Sequence, residues 1–88
     1  MNDPKTYVEV IASFDSDGEL LPLTIIWEDG RKFEIDKVLE VRQAAAMKAG
    51  GQGDRYTIQV HGKNRYLYFE RPPRISGSQL GRWFVETR

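Results

Sequence analysis

Two stretches of this chain, YVEVIASFD (7–15) and LLPLTIIW (20–27), alternate their side chains with a period of two, and only SDGE lies between them. A helix cannot use such a pattern, because its apolar positions recur every three to four residues; a half-buried strand requires it. Val8, Val10, Ala12 and Phe14 share one face, as do Leu21, Leu23, Ile25 and Trp27. A two-residue type I′ turn at Asp17-Gly18 pairs Phe14 with Leu21, Ala12 with Leu23, Val10 with Ile25 and Val8 with Trp27. Every apolar side chain then meets another, and a one-residue slip would turn one set to water. Pro22 points away from that face in this register and lacks an amide donor, so it is expected at an unpaired edge or a bulge.

The next turn, WEDGR (27–31), admits two loops. A two-residue loop sets Ile25 opposite Glu34. A three-residue loop Glu28-Asp29-Gly30 sets Ile25 opposite Phe33 and Leu23 opposite Ile35, with Gly30 as the left-handed residue of a G1 bulge. The second keeps the apolar face intact and is the expected one. Residues 37–49 also admit two readings. One is a helix started by Asp36 and ended by Gly50. The other, favoured here, is a bent strand to about Arg42, with Leu39 and Val41 continuing the phase of Phe33 and Ile35, then a short helical turn within 43–49. In RYTIQVHGKNRYLYFE (55–70), a Gly62-Lys63 or Lys63-Asn64 turn puts Tyr56, Ile58, Val60, Arg65, Leu67 and Phe69 on one face. Arg55, Thr57, Gln59, His61, Tyr66, Tyr68 and Glu70 fall on the other. The first turn sets Arg55 opposite Glu70 and Thr57 opposite Tyr68. RPPRISGSQL (71–80) reads as a loop, and GRWFVETR (81–88) as a last strand with Trp83 and Val85 inward and Phe84 outward.

About six strands joined mostly by tight turns define an all-β fold, a single domain over residues 1–88. An antiparallel meander of this size must curl or leave an apolar face in water, so an SH3-like, partly open barrel is expected. The 88 residues include no cysteine. That excludes a disulfide scaffold, a thiolate metal site and a thiol nucleophile, and fits a reducing, cytoplasmic setting. MNDPKTYVEV has neither the basic head nor the apolar run of a signal peptide, and no apolar run is long enough to span a bilayer, so no membrane role is expected.

The segments PLTIIWEDGRKFEIDKVLEVRQAAAMKAGGQGDRY, RYLYFE and RWFVE resemble short uncharacterised proteins of Gram-positive bacteria, a small β-rich family of unknown function. The likeness covers most of the chain and implies a bacterial cytoplasmic context, with no reaction and no site residues. The chain departs from that pattern in a longer RPPRISGSQL loop. More distantly, the order P…W…GR…VLEVR…RY…GRW looks like a second bacterial domain found near genes for DNA-damage-tolerance polymerases.

No catalytic, metal-ligating or cofactor-binding residue is assigned, and an enzyme is not expected. His61, the one histidine, sits at a turn without an orienting partner. The carboxylates of DSDGE lack the span and terminal glutamate of a calcium loop. GGQGD is not followed by the GK[ST] of a phosphate loop. A binding module remains. Although the net charge is zero, residues 1–40 carry an excess of six acids and residues 41–88 an excess of six bases. Such a split either marks a polyanion face or disappears if the halves interleave. Arg55, Tyr66, Tyr68, Arg71, Arg74, Arg82 and Phe84 form the candidate partner-binding set. Two partners fit it. One is a protein, including a second copy, docking on outward Phe84 and Ile26 or pairing with RWFVE as an edge strand. The other is a nucleic acid stacked on an aromatic, basic sheet face.

Overall fold

The computed structural model describes residues 5–44, 52–71 and 77–86. Seven strands, β1 (Lys5–Phe14), β2 (Leu20–Ile26), β3 (Lys32–Glu34), β4 (Lys37–Ala44), β5 (Gln52–Val60), β6 (Lys63–Arg71) and β7 (Arg82–Glu86), make one antiparallel sheet. It curls into an open half-barrel, with strand order β3-β2-β1-β7-β6-β5-β4. Two meanders, β1–β3 and β4–β7, are therefore joined by the β1/β7 ladder, in which Tyr7 faces Phe84 and Val8 faces Trp83. Among the described residues there is no helix long and apolar enough to cross a membrane.

The strand expected from Phe33 to Arg42 is present but changes partner midway, which makes seven strands of six. Ile35 N–H donates to the Leu23 carbonyl and Asp36 N–H to the Gln59 carbonyl. Across these two residues the chain passes from one sheet edge (β3 on β2) to the other (β4 on β5). β4 runs to Ala44, so a helix from Lys37 is excluded; residues 45–49 of the expected helical turn lie outside the described residues.

The β2/β3 hairpin has the expected three-residue loop. Ile25 faces Phe33, Trp27 N–H donates to the Arg31 carbonyl, and Gly30 has φ 89°. The β1/β2 hairpin differs. Phe14 faces Leu20 and Ala12 faces Pro22, while Val10 still faces Ile25, because Leu23 is an extra residue bulged out of β2. The bulge reverses the facing of the first half of the strand. Pro22 is inside and fully buried, Leu23 outside and 48% exposed, and Phe14 lies at the rim, 71% exposed. Proline thus does occupy a bulge, with its ring inward rather than outward. A second bulge in β4, at Leu39, lets Val38 face Ile58 and Val41 face Tyr56. The β5/β6 turn is His61-Gly62, with both φ positive (51° and 76°) as a type I′ turn demands. The pairing is shifted by two from that expected, so the faces hold but Arg55 meets Tyr68 and Thr57 meets Tyr66.

The core lies in the concavity, where Ile25, Tyr56, Ile58, Leu67 and Phe69 are joined by Val8, Val10, Phe33, Val38, Trp83 and Val85. β2 and β4 do not pair across the mouth of the half-barrel. Tyr56 bridges it instead, its hydroxyl donating to the Leu20 carbonyl at 2.6 Å; burial raises its pKa. Outside this bridge a groove of 500 Å³ runs between Leu21–Leu23 and Lys37–Val41.

Candidate functional site

Cross-strand register brings part of the candidate set together on the convex face. Tyr7, Phe84, Tyr68, Arg55 and Arg42 form one row across β1, β7, β6, β5 and β4. Phe84 does point outward but is only 1% exposed. Tyr68 stacks on it at 4.9 Å and 5°, Tyr7 meets it edge-on at 5.8 Å, and Lys5 Nζ lies 4.7 Å from its ring centre. This is a second, small core on the convex side. Phe84 is thereby withdrawn from contact with a partner, and RWFVE, lying between β1 and β6 and paired with both at Trp83 and Phe84, is no edge strand. Ile26 is half-buried.

The cations of this face are mostly engaged. Glu70 takes Lys5 at 2.8 Å and Arg82 at 3.5 Å, and Arg82 also lies over the Tyr7 ring at 4.0 Å. Arg42 pairs with Glu40 at 3.1 Å. Arg71 is on the other face, clamped to Asp54 at 2.8 Å, so it does not join the patch. Arg74 lies outside the described residues. Arg55 differs from the rest: its guanidinium lies 4.4 Å over Tyr66, and its buried Nε has no hydrogen-bond partner among the described residues. Most of the acidic half lies in the β1–β3 meander and the basic half in the β4–β7 meander, and the ion pairs Lys5–Glu70 and Arg42–Glu40 join charges of the two halves.

The convex row ends at a break in the sheet. The β6/β7 ladder stops at Tyr68↔Phe84, although β6 starts at Lys63 and β7 continues to Glu86. Where the strands part, a hollow of 690 Å³ opens at the end of the half-barrel. Its floor is Ile25, Ile58, Val60 and Val85, all of the concave face, and its rim carries Trp27, Phe33, His61, Arg65, Tyr66 and Tyr68. The β2/β3 and β5/β6 hairpins are locked together there. Phe33 and His61 meet edge-to-face at 6.4 Å, and Gly62 N–H donates to Asp36 Oδ2 at 3.3 Å. Lys63, Arg65 and Glu86 are the charges at the opening. Glu86 is engaged by the Tyr68 hydroxyl, which donates to Oε1 at 2.9 Å. Burial first, and then this carboxylate, push the Tyr68 pKa up to about 12.

Of the candidate set, Tyr66 and Tyr68 border this hollow. Trp27, Phe33, His61 and Arg65 were not in that set. Periodicity assigned Trp27, Phe33 and Arg65 to the core face; what it does not encode is that two strands separate beside them. Among the described residues no three His, Asp or Glu side chains are grouped to hold a metal ion. No protein-family model, no curated protein and no solved structure matches this chain, so the site is read from its geometry.

Proposed function

We propose that this protein is a small non-catalytic binding module, an SH3-like barrel in use if not in detail, that docks a partner protein at the hollow between β6 and β7. The observation that carries the reading is the combination of an apolar floor with an aromatic rim at the place where the sheet comes apart. Binding pockets favour the mouths of β-barrels, and Trp, Tyr and Arg dominate the energetics of protein interfaces. Tyr66, 52% exposed, is free to cover a ligand. Lys63 and Arg65 outnumber the single carboxylate of Glu86, which leaves the opening positive. The fitting occupant is therefore an apolar side chain flanked by Asp or Glu on a partner protein. The resemblance seen in the sequence adds a bacterial cytoplasm as the setting.

Peptides selected from a displayed library should carry that apolar–acidic pattern. They should lose about tenfold or more in affinity for Tyr66→Ala and for Arg65→Glu, while Leu39→Lys on β4 leaves them unaffected. Selected peptides indifferent to both rim substitutions would overturn the proposal. A second reading, nucleic acid, rests on the Arg55–Tyr66 stack. It requires single-stranded DNA to be retained at low salt and released steeply as salt rises; that result, with no peptide selected, would replace the first reading.

A further inference from the structure

The two sheet edges are unequal. β3 offers three residues, of which Lys32 and Glu34 are charged and exposed, a guarded edge. β4 offers eight, has no partner strand on its outer side among the described residues, and carries Leu39 and Val41, 45% and 47% exposed. A long edge flanked by apolar side chains is a template for strand addition.

The charges of β4 say which strand it accepts. Glu40 and Arg42 lie on the convex face, on either side of Val41. In an antiparallel pairing of β4 with itself, only registers that keep convex residues opposite convex residues are allowed. Centred on Glu40 or on Arg42, such a register sets like charges face to face. Centred on Val41, it sets Glu40 opposite the Arg42 of a second copy, and Arg42 opposite its Glu40, with the two valines meeting on the axis. Arg42 already has a like charge, Arg55, as its neighbour on β5, so a second carboxylate also relieves a repulsive cross-strand pair. We infer that β4 is a homodimer edge: two copies pair antiparallel about a two-fold axis at Val41, closing a square of alternating Glu40 and Arg42 charges. This interface is separate from the β6/β7 hollow.

Because the interface is isologous, each substitution counts twice. Glu40→Arg alone and Arg42→Glu alone should each weaken the dimer about tenfold or more in sedimentation equilibrium, and the double exchange E40R/R42E should restore it. The chain has no cysteine, so Val41→Cys supplies a single thiol. Mild oxidation should convert it to a disulfide-linked dimer, whereas Glu9→Cys on the convex face of β1 should stay uncrosslinked. All three β4 positions are exposed, and circular dichroism checks that each variant keeps its strands. A chain monomeric at every concentration reached overturns the inference, as does a dimer indifferent to both charge reversals. Neither result touches peptide binding at the hollow, so the two proposals fail separately.

Discussion

At the scale of single residues, Glu70 is the side chain on which the convex face depends. It accepts Lys5 at 2.8 Å, the Tyr7 hydroxyl at 3.2 Å and Arg82 at 3.5 Å. Partial burial alone would raise its pKa, but the hydrogen bond and charge of Lys5, with help from Tyr7 and Arg82, lower it. A carboxyl depressed in the folded state stabilises above its unfolded pKa of about 4.3, and the stabilisation is lost as pH falls through the folded value. Glu70→Gln should therefore cost about 1 kcal/mol at pH 7 and nothing in strong acid, read from urea unfolding at both pH values. Placement on this face was partly legible. Arg55, Tyr66 and Tyr68 follow from period two, and the same parity sends Arg71 to the opposite face from Tyr68, where it meets Asp54. The burial of Phe84 was not legible, because part of its cover, Tyr7, comes from β1 at the far end of the sequence and completes what Tyr68 on β6 begins.

At the scale of the element, turn chemistry decided which hairpins could be read in advance. In WEDGR only one loop keeps Ile25 opposite Phe33, and the structure has it. In the β5/β6 hairpin the apolar alternation is satisfied by turns one residue apart, each step shifting the pairing by two, so parity was legible and register was not. The deciding feature is His61, which takes a positive φ more readily than most residues with a Cβ, ahead of Gly62. Gly62→Ala should accordingly cost about 1–2 kcal/mol, since its φ of 76° suits only glycine well. His61→Asn should be close to neutral, and chemical denaturation of the two variants checks both. The bulges at Leu23 and Leu39 escaped the sequence reading because each inserts one residue into an otherwise regular alternation. Pro22 hinted at the first, and the misfit of Lys37 in the β4 phase hinted at an irregularity near the second.

At the scale of the whole molecule, curling was legible from the need to cover one apolar sheet face in a chain this short. Where the sheet would remain unpaired was not, because strand ends and partings depend on contacts between distant segments. Across the open side the Tyr56 hydroxyl holds β2 to β5. Tyr56→Phe keeps the ring against Trp83 at 5.2 Å but removes the bridge. About 1 kcal/mol of stability should be lost, with faster amide exchange confined to residues 20–23 and their partners on β1. The β1/β7 ladder carries a different consequence. Each meander assembles from neighbours along the chain, whereas Lys5 must find Glu86 from the opposite end of it. Loop closure on that span is the entropically dearest contact in the molecule. The two halves should therefore condense early as three- and four-stranded pieces with their docking setting the folding rate, so that a substitution in the β1/β7 ladder slows refolding in stopped-flow measurements more than one in the β2/β3 hairpin.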